Sequence, residues 1–369
     1  MIKIRTYFIC LSILFSLNAC QSLETLSIDY LVPAEISFPS NLKRIAVVNN
    51  TSAVPDSNII NVPQKKEPLL VNELKKSTTY FWGDAAIATE SLANGLAGAN
   101  YFNEVVICDS ALRANDVILR ENTLSKSEVE ELCRKLDVDL LISLENLQIK
   151  AVRTVKFMPD WNVFLATTDA RVFTSVKAYL PKRNGAMASL VLNDSIFWEE
   201  GASTETSAMA QLIKDEELIR QTSDFGGTIP VNKLTPSWKT SQRFYYSNGS
   251  VNMRDAAVYV REQEWEKAFE LWQKEYQQSK SKKVKMRTAL NSALYYEMQD
   301  SIPQAVEWAT IAQNLADEVE KATTKMKEKK SIYTFPNYFS ISVYLSDLSE
   351  RMSNIAKLNM QMDRFKDDF

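Results

Sequence analysis

Apolar and polar positions change period along the chain, and each change marks an element. Lys43-Arg44-Ile45-Ala46-Val47-Val48-Asn49 is a short apolar run bounded by polar Asn50, Thr51 and Ser52, which predicts a buried strand. The next stretch holds Pro55, Pro63 and Pro68 and reads as a long, partly irregular crossover. Gly83-Asp84 opens a helix to about Asn100, Glu104 to Cys108 gives a second strand, and Val138 to Leu144 a third. Ser127 with Glu130 has capping-box spacing, ahead of a helix that sets Val129, Leu132, Cys133 and Leu136 on one stripe. Strand, helix, strand, helix, strand implies parallel right-handed crossovers.

Leu147 to Val155 then reads as a strand with antiparallel neighbours. Arg171 to Leu180 alternates, with Val172, Thr174, Val176, Ala178 and Leu180 on one face. Pro181 to Gly185 is turn chemistry, and Ser189 to Trp198 returns as a hairpin partner. The sum is an α/β domain of mixed sheet over residues 41–222. Phe225-Gly226-Gly227 and the polar stretch after it read as a linker over 223–250.

Residues 251–369 are helical in period and contain a repeat. Ala256, Tyr259 and Ala268 recur as Ala293, Tyr296 and Ala305, each displaced by 37 residues, with Trp272 and Ala309 one turn on. Small, aromatic and small residues at these offsets are where a tetratricopeptide helix pair packs, so an all-α tetratricopeptide-like domain is expected. The three residues beyond a standard repeat fit the lysine-rich connector Ser279 to Lys285. Leu345, Leu348, Met352, Ile355 and Met362 predict a long closing helix at heptad-like spacing.

Residues 1–19 have the form of an export signal: Lys3 and Arg5, then a mostly apolar run from Tyr7 to Leu17, too short to span a bilayer. Leu17-Asn18-Ala19-Cys20 has the pattern of a lipobox, so Cys20 is expected to be lipidated and to become the first residue of the mature chain. An ordinary secretory signal with a chance cysteine, or a single signal anchor, is the alternative. Gln21 in place of an aspartate points to the outer membrane, facing the periplasm in preference to the cell surface. Residues 20–40, interrupted by Pro33 and Pro39, are expected as a flexible tether.

Composition removes much chemistry. The chain has no histidine, which excludes histidine-activated nucleophiles and the usual catalytic zinc sites. Cys108 and Cys133 are the cysteines left after Cys10 and Cys20, too few for a thiolate zinc site; they could pair, or Cys133 could be a buried free thiol. With 8 glycines and no phosphate loop, nucleotide binding lacks support, and Gly95 and Gly98 fit close packing in an Ala-rich helix. Loss of Lys3 and Arg5 moves the formal net charge from −3 to −5, which argues against nucleic acid. No cofactor and no metal are expected.

Cys20, Val32-Pro33-Ala34-Glu35-Ile36 ahead of Lys43 to Asn49, and the C-terminal helix-pair repeat together resemble a family of Bacteroidetes-type lipoproteins with tetratricopeptide-like ends. The resemblance covers most of the mature chain and brings no reaction or catalytic residue with it. The leading expectation is a non-enzymatic envelope lipoprotein that binds a protein partner through its helices, whose stacking makes a concave face. The alternative is surface glycan binding by aromatics: Trp161, Trp198, Trp238, Tyr245 and Tyr246, with Phe164 and Phe244. Core packing is the competing account of those rings. A third reading is an acid-only hydrolase built from Asp194, Glu199 and Glu200 with Asp160 and Asp169 nearby, against which stands ordinary solvation at a sheet edge. Lys280, Lys282, Lys283 and Lys285, and later Lys325, Lys327, Lys329 and Lys330, read as solvated connectors or as contacts to anionic headgroups.

Overall fold

The computed structural model describes residues 23–52, 59–60, 75–108, 110–115, 123–328 and 331–368. The chain divides into two compact units, a sheet unit of Pro33–Ser237 with Asn359–Phe369 and a helical unit of Met1–Val32 with Trp238–Leu358. An N-terminal sheet-rich region and a C-terminal helical region are therefore both present. Strand β1 (Leu23–Val32) belongs to the helical unit.

In the sheet unit, β2 (Arg44–Asn49) lies between β5 (Glu104–Cys108) and β6 (Leu140–Met158), parallel to both. The expected parallel centre is therefore there. β3 (Ile59–Ile60) pairs with β4 (Lys75–Trp82), and β4 runs antiparallel along the later part of β6. β4 occupies part of the stretch expected as irregular crossover; Pro55, Pro63 and Pro68 lie outside the described residues. The other edge of β6 takes β7 (Val163–Tyr179), and β7 takes β8 (Ala188–Ala202), both antiparallel.

β2 is buried at five consecutive positions because both faces are covered, as a parallel-sheet strand should be. One face packs against α1 (Ala85–Gly98) and α4 (Asp215–Thr228), bringing Val47 and Ile142 against Leu92, Leu96 and Leu218. On the other face, α2 (Lys126–Leu136) sets Val129 and Cys133 against Ala46, Val48 and Leu141. Its capping box is Ser125 with Glu128, two residues before the expected pair: Glu128 N donates to Ser125 Oγ and Ser125 N to Glu128 Oε2. A short helix α3 (Glu205–Gln211) covers Val155 and Ala166 through Ala208.

Three expectations are corrected here. The strands read as Val138–Leu144 and Leu147–Val155 are one strand, β6, with a bulge. Leu144 faces Val176 and Asn146 faces Ser175, so Glu145 is an extra residue. The core-facing set shifts parity there, from Leu140, Ile142 and Leu144 to Leu147, Ile149 and Ala151. Phe225-Gly226-Gly227 lies inside α4, not in a linker. A Cβ on Gly227 would sit 2.3 Å from the Ala88 carbonyl oxygen, so glycine there permits α4 to cross α1. The rest of 223–250 includes the short helix α5 (Val231–Leu234) and strand β9 (Ser237–Tyr246). The tether is also structured: after β1, Ala34, Phe38 and Leu42 are buried. Gln361 fixes that segment, its Oε1 accepting from Ala34 N at 2.9 Å while its Nε2 donates to Ala34 O at 3.1 Å.

The helical unit is not all-α, because β1 and β9 form a two-stranded ribbon within it. The helices are α6 (Val251–Arg261), α7 (Trp265–Gln278), α8 (Lys282–Met298), α9 (Ile302–Glu320), α10 (Ala322–Lys327) and α11 (Pro336–Met362). The 37-residue repeat is a repeat of helix hairpins, α6–α7 and α8–α9. Ala256, Ala268, Ala293 and Ala305 are all fully buried, as are Trp272 and Ala309. The hairpin turns repeat as well. Gln263 and Asp300 take the left-handed conformation at φ 62° and 53°. Glu264 N donates to Tyr259 O, and Ser301 N to Tyr296 O, both at 2.8 Å. In α11 the buried stripe is Ile341, Tyr344 and Leu348, with Met352 exposed, so the expected heptad is displaced toward the helix start.

Helix α8 is buried on nearly every side because β9 covers it. Asn291 Nδ2 donates to Tyr246 O while its Oδ1 accepts from Tyr246 N, each at 2.8 Å. Glu297 accepts from Arg243 of β9 and from Arg351 of α11. Burial works against the charge on Arg243, but Glu297 and Asp347 outweigh it and hold the guanidinium protonated.

Candidate functional site

The side of the sheet that α2 covers over β5, β2 and the start of β6 continues across β4, the rest of β6, β7 and β8. There its positions are mostly half-buried or exposed. Alternate strand residues share a face, so the pairing register fixes which side chains stand in each row. Trp82, Gln148, Phe173 and Asn193 form one row. The next is Tyr80, Lys150, Arg171 and Ser195, followed by Thr78, Val152, Asp169 and Phe197, then Lys76, Thr154, Thr167 and Glu199. The hydroxyls of Thr154 and Thr167 meet at 2.7 Å, as same-face neighbours should. Phe197 is 57 % exposed, and Lys150 Nζ lies 5.9 Å from the centre of the Tyr80 ring. Lys76, Lys150 and Arg171 have no ion-pair partner among the described residues, nor does Lys156, one row beyond.

One end of this open face is closed by a buried polar cluster around the bulge. The Glu145 side chain is fully buried; it accepts from Tyr179 Oη and from Asn50 Nδ2, both at 2.9 Å, with Lys177 Nζ at 3.8 Å. Burial pushes its carboxyl above the usual range, against Lys177 and the hydrogen bonds, which pull it down. Arg113 Nε donates to Asn50 Oδ1 at 3.0 Å and pairs with Glu128. The cluster lies at the carboxyl ends of β2 and of the parallel part of β6, where ligands commonly bind in α/β sheets. Here those polar groups hydrogen-bond and pair with one another, so the cluster fills this end of the face. A second opening, about 430 Å³, lies between the starts of α1 and α4. Of its acids, Asp84 caps α1 and Asp215 pairs with Arg153 at 2.7 Å, while Glu216 is exposed at the rim.

The aromatics singled out in the sequence do not converge. Trp161 is exposed in the β6–β7 turn and Trp238 is exposed at the start of β9, in the other unit. Trp198 faces inward and packs on the sheet core, and Phe164 stacks near Phe157 beneath α3. Tyr245 and Tyr246 are buried, the first donating to Glu24 at 2.6 Å and the second to Asn337. Phe244 packs edge-on against Tyr246. Within neither unit do these rings form a shared platform.

The proposed acid pairs of β8 separate, while Asp169 and Glu199 stand as diagonal neighbours on the open face, about 7 Å apart. Asp194 pairs with Val172 and Glu199 with Thr167, positions of opposite parity, so the two carboxylates point to opposite faces of β8. Asp194 and Glu200 share a face but stand six residues apart, about 20 Å along the strand, beyond the reach of a carboxylate pair. Asp169 faces the open side and Asp160 lies in the turn. Among the described residues no three Cys, Asp or Glu side chains gather to hold a metal ion. Cys108 and Cys133 are free thiols. Lys282 pairs with Glu318, and Lys329 and Lys330 lie outside the described residues. The open-face residues carry little sequence signal, because the alternation of β7 is plainest in its core-facing set. Phe173, at an outward position between Arg171 and Ser175, was the available signal, and Glu145 inside an apolar strand was another.

Residues 42–246 match the family model described as domain of unknown function DUF8603, and residues 254–350 match the one described as domain of unknown function DUF6340. The first match spans more than half of the chain, which therefore belongs to the DUF8603 family. A comparison with curated proteins found no match. The first match ends at Tyr246, the last residue of β9, and leaves out β1.

Proposed function

We propose that the chain is a lipid-anchored protein of the bacterial envelope, held at the outer membrane through Cys20, that binds a partner without catalysing a reaction. The partner site is the open face of the sheet unit. The observation that carries this reading is the set of aromatic and unpaired cationic side chains standing in register across β4, β6, β7 and β8. The anchor is supported by Leu17-Asn18-Ala19-Cys20 at the end of the apolar run, and binding over chemistry by a sequence without histidine. We read the helix hairpins as tetratricopeptide-like, from side chains and turns that repeat at 37 residues. Their α8 side is filled by the chain's own β9, which moves the partner site off the helices.

The test is co-sedimentation of the soluble Cys20→Ser protein with isolated envelopes. Phe173→Ala with Phe197→Ala should weaken binding by about tenfold, the scale of one or two lost anchors. Val258→Ala, at an exposed position of helix α6, should leave it unchanged. Loss with the helix variant and retention with the sheet variant would return the site to the helices.

A further inference from the structure

Resting on that binding reading, we infer that the open face takes an acidic polysaccharide, laid across β4, β6, β7 and β8. Four observations favour this class. The face carries four cations, Lys76, Lys150, Lys156 and Arg171, against two acids, Asp169 and Glu199. That local positive balance sits on a chain of formal net charge −3, so it selects an anion. Trp82 and Phe173 stand in one row two strands apart, about 10 Å, and Tyr80 and Phe197 extend the ring set to the rows beyond. Rings set apart in this way can each meet the apolar face of a sugar ring. Gln148, Asn193, Ser195, Thr154 and Thr167 lie between them and supply donors and acceptors for hydroxyl groups.

The extent of the face matters too. Four strands span about 14 Å and the rows lie about 7 Å apart, so contacting rings and cations in successive rows requires a chain of several sugars. A protein partner fits less well, because interface cores need contiguous apolar anchors and here charged or amide groups interrupt the rings. Single-stranded nucleic acid also uses rings and cations. Asp169 in the middle of the face and the acidic body disfavour a ligand with a phosphate at every step.

The experiment uses the full soluble chain (Cys20→Ser) in fluorescence titrations with three acidic polysaccharides, polygalacturonate, hyaluronate and heparin, beside neutral dextran and oligo-dT. At least one acidic polysaccharide should bind, weakening at least tenfold from low to high salt, while dextran shows none. Lys150→Gln with Arg171→Gln, and separately Phe173→Ala with Phe197→Ala, should each weaken it at least tenfold. Lys239→Gln, an exposed cation on β9, should not, and unchanged melting curves show that the variants are folded. Absence of binding to all three, equal binding by the open-face variants, or tighter binding of oligo-dT would overturn the inference. Envelope sedimentation that survives without polysaccharide binding defeats only this ligand class. Loss of both defeats the binding reading as well.

Discussion

Glu145 is the residue where local chemistry departs furthest from its surroundings. In the unfolded chain its carboxyl has the ordinary value, and burial raises it in the fold. The folded state therefore favours the protonated form. This contribution to stability is complete below the unfolded value and is lost as pH rises through the folded one. Glu145→Gln is neutral throughout and lacks that loss. Urea unfolding from about pH 4 to about pH 8 should therefore show the variant gaining on the wild type as pH rises, and a constant difference would remove the argument. Truncation is a different matter: Glu145→Ala leaves Tyr179 and Asn50 without their acceptor and should cost about 3 kcal/mol. Cys133 makes the complementary case. Burial, with the charge of Asp139 adding, pushes its thiol up to about 11, so at pH 8 roughly one molecule in a thousand is thiolate. A thiol reagent should label half-buried Cys108 in the native Cys20→Ser protein and reach Cys133 only after denaturation. Rapid labelling of both would contradict the packing.

At the scale of elements, Asn291 holds ribbon to helix. Asn291→Ala strips partners from both the N–H and the C=O of buried Tyr246 and should lower stability by about 3 kcal/mol, read as a fall in denaturant midpoint. A change below about 1 kcal/mol would mean that apolar packing alone seats β9. The same contact explains what the sequence made legible and what it did not. β2, β5 and the hairpin repeat announce themselves locally, through an apolar run or a fixed spacing, and their positions were readable to within a residue or two. β1 was not. Its partner β9 lies more than 200 residues away, and the pattern of Leu26, Ile28 and Tyr30 acquires meaning only once Ala256, Val260 and Trp272 are beneath it. Glycine misled in the opposite direction, since Gly226-Gly227 looks like a break and is a close crossing of helices. The open face was half legible. The alternation of β7 was plain, but β4, which supplies Trp82 and Tyr80, sat in a stretch whose prolines hid it.

For the whole molecule, the proposed anchor would decide where everything else acts, and the structure of β1 changes its geometry. Only Gln21 and Ser22 separate Cys20 from Leu23, the first residue of the strand. Three residue steps reach at most about 10 Å. Lipid on Cys20 would therefore hold the β1–β9 ribbon close to the headgroups, where a tether of some twenty residues would have let it wander. No helix among the described residues is long and apolar enough to cross a membrane; on the proposed reading the acyl chains make the attachment. Burial contributes about 0.8 kcal/mol per methylene, and stable attachment needs more than one chain or signal. Wild-type protein should accordingly stay with membranes through a high-salt wash, because the contact is not ionic. Cys20→Ser should yield unprocessed precursor or soluble protein, detected by fractionation and by the mass of the N-terminal peptide. Correctly cleaved Cys20→Ser protein that still sediments with membranes after the high-salt wash, which releases the salt-sensitive surface binding, would mean that the folded surface, and not lipid, makes the attachment.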